Sequence, residues 1–215
     1  MMQYRCLLIA LALTIPTMGL ADVIDFESLN DGDVITNQFS GQGVLFSNAV
    51  ALAAGISLNE FEAPPHSGSI VAGASGDPLE IDFTAPVNSF FAFFTYSEQL
   101  TLKVFDPSNN LLATVQSAFS NNEAISGDAG SSPNEQLGLN AASIGRVTVT
   151  NADLAAGTSF IVIDDLTFTP GPGVTPVPEP SAFILLSLGL VALAFSQVRL
   201  SFLRVTQRQC SPGPF

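Results

Sequence analysis

Leu79-Glu80-Ile81-Asp82-Phe83-Thr84-Ala85-Pro86-Val87-Asn88-Ser89-Phe90-Phe91-Ala92-Phe93-Phe94-Thr95-Tyr96-Ser97-Glu98-Gln99-Leu100-Thr101-Leu102-Lys103-Val104-Phe105 is the stretch that decides the fold. Leu100, Leu102 and Val104 alternate with Thr101, Lys103 and Phe105, which is the two-residue period of a half-buried strand. Phe90, Phe91, Phe93, Phe94 and Tyr96 crowd one run and predict a central strand covered on both faces. Three strands are therefore expected here, over 79–83, 87–96 and 99–105. Working outward, similar short apolar runs lie at 23–26, 43–47, 50–58, 69–72, 111–118, 146–150 and 160–168. Turn-forming stretches separate them, such as Asn30-Asp31-Gly32-Asp33, Gly76-Asp77-Pro78 and Asp106-Pro107-Ser108-Asn109-Asn110. Ala49 to Gly55 reads either as strand or as a helical turn. Regularly spaced short strands without a long helical period predict an all-β, antiparallel β-sandwich, jelly-roll-like in form.

The two ends read differently. Arg5, the apolar Cys6–Ile15 and the small residues Gly19-Leu20-Ala21 predict a secretory signal peptide over 1–21. Residues 170–180 hold five prolines in eleven positions and predict an extended linker. Pro180 to Val198 carries no charge, and as a helix it would reach ~28 Å, enough for the ~30 Å apolar core of a bilayer. We expect a transmembrane helix over 181–198. Arg199, Arg204 and Arg208 follow without an acid, which predicts a basic cytoplasmic tail over 199–215 and an ectodomain, 22–169, outside.

Val177-Pro178-Glu179-Pro180-Ser181, then an apolar helix, then arginines, resembles the PEP-CTERM sorting signal of bacterial exported proteins. The resemblance covers roughly residues 177–204. It implies recognition of Pro178, Glu179 and Pro180 by exosortase, a membrane protease-transpeptidase. It also implies an inner-membrane-anchored precursor in a Gram-negative-type bacterium, then a product at the cell surface or outside the cell. In that family export accompanies exopolysaccharide production.

Charge narrows the partners. Between Asp22 and Glu179 all 19 acids stand against two bases, Lys103 and Arg146, a balance of −17. Such a surface repels phosphate and excludes nucleic-acid binding. The two cysteines, Cys6 and Cys210, both lie outside 22–169, so the ectodomain is expected to hold neither a disulfide nor a thiolate metal site.

Four carboxylates are candidate metal ligands: Asp25, Glu27, Asp164 and Asp165. If the first and last strands are neighbours, they converge. In the last strand Phe160, Val162, Leu166 and Phe168 share a face in simple alternation, and Asp164 falls in phase with them, toward the core. Asp25 and Glu27 share a face of the first strand. Oxygen-only ligands suit Ca²⁺ in a structural role. Alternatively, these acids cap backbone N–H groups and the rest are solvated. The Asp-Phe-Glu and Ile-Asp-Asp pair is similar to jelly-roll adhesion and carbohydrate-binding domains, where such positions can hold a structural cation. His66, the sole histidine, sits in Pro64-Pro65-His66-Ser67-Gly68 and reads as a loop residue without a nucleophile elbow. No catalytic constellation, phosphate loop or dinucleotide fingerprint is legible. The expected function is that of an exported, non-catalytic surface or matrix protein associated with polysaccharide. A secreted glycan-active enzyme, or a purely structural Ca²⁺-stabilised sandwich, are the alternatives.

Overall fold

The structure is a computed structural model that describes residues 21–157 and 159–171. Residues 1–20 of the expected signal peptide, Pro178, Glu179 and Pro180, the expected membrane helix and Arg199, Arg204 and Arg208 lie outside the described residues. Among the described residues no helix is long and apolar enough to cross a membrane.

Among the described residues, ten strands and a single 3₁₀ turn, Ser40–Gln42, make up the regular structure, and every strand pairing is antiparallel. The strands are β1 (Asp22–Ile24), β2 (Val34–Ile35), β3 (Val44–Ser47), β4 (Ala49–Ala53), β5 (Ile70–Ala74), β6 (Leu79–Tyr96), β7 (Thr101–Phe105), β8 (Leu111–Gln116), β9 (Glu135–Thr150) and β10 (Ile161–Pro170). Their order is β2-β4-β5-β10-β6-β9-β7-β8, with β1 added beside β10 and β3 beside β6.

Strand β6 is the spine. Its first part pairs with β3 and the end of β9, and its second part with β10 and the start of β9. The sequence suggests two strands here, split at Thr84-Ala85-Pro86. The structure has one 18-residue strand with register shifts between Asp82 and Ser89. Pro86 lacks an N–H and cannot hold a ladder bond, so pairing lapses there without ending the strand. The shift also changes phase. Leu79, Ile81, Phe83 and Val87 are buried before it, and Phe90, Ala92, Phe94 and Tyr96 after it, all in one core. Phe91 and Phe93 are half-buried on the other face, so the strand is central but only partly covered there.

Other expectations need correction. Ala49–Ala53 is a strand, and no helical turn forms there; residues 54–58 are turn. The first half of β9, residues 135–145, and the two-residue β2 have no counterpart among the expected strands. β2 is too short to show a period, whereas Leu137, Leu139 and Ala141 alternate at the start of β9 and pack on the core.

The main core gathers Phe26, Phe39 and Phe46 in edge-to-face contact, 5.5–5.9 Å apart, and Phe83 against Phe168 at 5.4 Å. A smaller cluster, Leu58, Ala63, Val71 and Val162, lies apart from it, backed by Leu52 and Phe160. It seats the 54–70 connection against β4, β5 and β10.

Candidate functional site

The expected cluster of acids is built where β1, β10 and the 63–70 connection meet. The first and last strands are neighbours: Asp22, Val23 and Ile24 pair with Phe168, Thr167 and Leu166. β1 ends at Ile24, however, so Asp25 and Glu27 do not share a strand face. Phe26 takes a positive φ of 61° and turns the chain, burying its own ring. Asp25 stays exposed and accepts a hydrogen bond from the Glu27 N–H at 3.2 Å.

Simple alternation also fails along β10. A bulge between Asp164 and Thr167 adds a residue, with Asp165 at φ 45°. Aspartate tolerates this left-handed conformation better than most residues. Before the bulge Ile161 and Ile163 enter the main core; after it Leu166 and Phe168 do. Val162 belongs to the small cluster on the opposite side. Asp164 shares the phase of Val162, so it faces the 63–70 connection and not the main core, correcting the expected phase.

There Asp164 is 1% exposed. A buried carboxylate must find donors. Its Oδ2 accepts the N–H groups of His66 and Ser67 at 2.8 and 3.0 Å, and its Oδ1 accepts that of Asp165 at 2.8 Å. Desolvation opposes these bonds and exceeds them, and the adjacent Asp165 charge adds to it. The Asp164 carboxyl is pushed up to about 6.

Asp165 takes the two side chains that flank those amides. Its Oδ2 meets His66 Nδ1 at 2.6 Å, and its Oδ1 accepts the Ser67 hydroxyl at 2.8 Å. The His66 ring lies flat on Phe93, with centroids 3.5 Å apart and an interplanar angle of 9°. Glu27 completes the clamp. Its Oε1 accepts the Ser69 and Ile70 N–H groups at 2.8 and 2.7 Å. Gly68, at φ 54°, runs so close that an added Cβ would lie 2.2 Å from the Glu27 carboxyl carbon.

Three of the four acids named from the sequence thus converge on one loop, and Asp25 sits beside them. Their oxygens are occupied by N–H and O–H donors. Among the described residues no three His, Cys, Asp or Glu side chains are arranged to hold a metal ion. The donors around these oxygens make the cluster an amide clamp on the loop. The Ser67 hydroxyl donates to Asp165 and not to His66. Sequence reasoning passed over His66 and Ser67. The tandem Asp164-Asp165 opposite a Gly-containing loop rich in free amides was the available signal.

A family model described as the PEP-CTERM protein-sorting motif matches residues 176–199. Pro178, Glu179 and Pro180 lie inside that span, and a sorting motif of this kind implies export through a membrane-anchored precursor. No curated protein matches the chain. Among solved structures it is similar to a cleaved adhesin domain of Lys-gingipain, at 12% identity over 70% of this chain and 99% of that one, with a TM-score of 0.44. It is also similar to a family 29 carbohydrate-binding module, at 11% identity over 74% and 99% with a TM-score of 0.40. A DUF4465 family protein from Bacteroides caccae matches at 10% identity over 76% and 98%, with a TM-score of 0.39.

Proposed function

We propose that this chain is a non-catalytic protein of the cell surface or extracellular matrix, associated with polysaccharide. In this reading its ectodomain is a jelly-roll-like β-sandwich, delivered by its sorting signal. The observation that carries the reading is the sorting motif at residues 176–199. Its Pro178-Glu179-Pro180 core precedes an uncharged stretch and then Arg199, Arg204 and Arg208. An apolar segment followed by arginines holds a precursor in the membrane with its acidic part outside. Cleavage near the Pro-Glu-Pro core releases that part. The non-catalytic reading is supported by the clamp: its lone histidine is stacked on Phe93 and tied to Asp165, and serves to seat a loop.

The test is fractionation of a producing bacterium. The wild type is expected as a shortened species in the surface and extracellular fractions. Glu179→Ala is expected to leave a full-length species in the inner membrane. The shortened species is also expected to sediment with purified exopolysaccharide. Identical mass and fraction for the wild type and Glu179→Ala would refute sorting through this motif. Absence of co-sedimentation would remove the polysaccharide association.

A further inference from the structure

We infer that β8 is an interaction edge at which two copies of this chain pair, strand against strand, about a two-fold axis through Val115. The partner is a second copy of the same ectodomain, and the inference stands apart from the polysaccharide reading.

β8 ends the strand order and is paired by β7 alone. The direction of its free groups follows from the ladder. Ser117 donates its N–H to the Leu100 carbonyl at 3.1 Å. One register then runs from Thr101 opposite Gln116 to Val104 opposite Ala113. Antiparallel bonding alternates along a strand, so Val115 and Ala113 bond β7, and the N–H and C=O groups of Thr114 and Gln116 are aimed away from it. Thr114 and Gln116 are exposed, and among the described residues no loop backbone bonds those groups.

Three features fit this edge to a copy of itself. Leu111 to Gln116 holds neither a charge nor a proline, the usual guards of a sheet edge, and its bulge touches only its first residues. The free groups are also self-complementary. In an antiparallel pair centred on Val115, Thr114 exchanges both bonds with Gln116 of the second copy, and the reverse, so each outward group is met. Finally, Val115 lies opposite the buried Leu102 and packs on the core, yet at the end of the sheet it is only half-buried. On the proposed axis the two Val115 side chains face each other at a non-hydrogen-bonded position, where side chains approach most closely, and carry the core across the join.

Charge selects this edge over the others. The 19 acids between Asp22 and Glu179 make two copies repel. The two bases of that span lie just inside β8: Lys103 stands opposite Thr114, and Arg146 stands opposite Phe105 of β7. The acid of the preceding turn, Asp106, faces its own loop, where Ser108 and Asn110 donate to it. The start of β9, which β6 alone pairs, instead opens with Glu135, and β2 follows Asp31 and Asp33. Two acidic domains therefore meet with least repulsion along β8.

The experiment is sedimentation velocity of the purified full-length chain in dodecyl maltoside over a range of concentrations. The wild type is expected to shift from monomer to dimer as concentration rises. Thr114→Pro removes an N–H that β7 does not use, and an edge strand accepts proline at such a position. It should weaken the dimer roughly tenfold or more, since a bond is lost on each side of the axis, and leave the unfolding midpoint in place. Ile56→Lys, in the turn after β4, should leave the dimer intact. In a Cys6→Ser, Cys210→Ser background, Val115→Cys should give a covalent dimer on mild oxidation, because the paired Cα atoms would stand ~4.5 Å apart, within disulfide reach. Lys103→Cys, one strand further in, should not. A monomer at every concentration would overturn the inference. So would a dimer indifferent to Thr114→Pro, a dimer abolished by Ile56→Lys, or a Val115→Cys dimer that stays uncrosslinked.

Discussion

Replacing Asp164 by asparagine separates two opposing effects at one carboxylate. Three backbone N–H groups favour its anion, and burial at 1% exposure disfavours it. Burial wins, raising the carboxyl from its ordinary 3.8 to about 6. The sign follows from proton counting. Between those two values the native protein keeps the proton and the unfolded chain has lost it, so native stability falls as pH rises. The contribution is complete below pH 3.8 and is lost as pH passes through about 6. The interval is worth up to ~3 kcal/mol at ~1.4 kcal/mol per pH unit. Solvent screening at the loop edge lowers the expected figure to ~1–2 kcal/mol. Asparagine keeps the shape but does not titrate. The stability of the wild type minus that of Asp164→Asn should therefore shrink by that amount between pH 4 and pH 7.

Urea unfolding of both proteins across that range measures the difference. Taking it in a His66→Gln background as well removes the imidazole that bonds Asp165, next to Asp164. A difference that stays flat, or grows with pH, refutes the argument. Growth would mean that the amide clamp outweighs burial and holds the group as a preferred anion.

Three further outcomes are expected. Gly68→Ala should lower stability by ~2 kcal/mol, because its Cβ would displace the Glu27 carboxylate and its φ of 54° suits glycine. In a double-mutant cycle with Glu27→Ala the two costs should be clearly less than additive, and full additivity would show that the two residues do not share a clamp. Tyr96 is buried and its hydroxyl bonds Glu135; burial first, then that bond, pushes it up to about 12, so protein lacking residues 1–21 should show no phenolate absorbance until near that pH. A phenolate signal near pH 10 would contradict this. Thermal unfolding in EDTA and in millimolar Ca²⁺ should coincide, since native-state binding would otherwise raise the midpoint. An upward shift abolished by Asp164→Asn would establish a cation site at these carboxylates.

How much of this was legible depends on period. β7 alternates cleanly, and its ends fall near the expected positions. β6 does not alternate through Pro86, and its phase change is a bulge that needs the neighbouring strand to define it. A bulge is a relation between two strands, so composition along one strand cannot reveal it. The same reason hid the orientation of Asp164. Counting by two from Val162 puts it in the same phase as Leu166, and the extra residue at Asp165 breaks that count. Grouping Glu27, Asp164 and Asp165 at one place needed only the pairing of the terminal strands, which short apolar runs at both ends suggested. What they bind was not readable, because a carboxylate serves an amide and a cation with the same oxygens.

The loop shows which donors these oxygens meet in this structure. His66, Ser67, Ser69 and Ile70, two on each side of Gly68, all point their N–H groups at acids. A chain turning tightly at Gly68 cannot satisfy these amides within itself. Carboxylates from both termini of the domain supply the acceptors. The clamp therefore joins the first turn, the last strand and the middle of the chain, through contacts 42 to 98 residues apart in sequence. This domain has no cysteine between residues 22 and 169, so no disulfide can make that join. Glu27, Asp164 and Asp165 tie the first turn and the last strand to this loop.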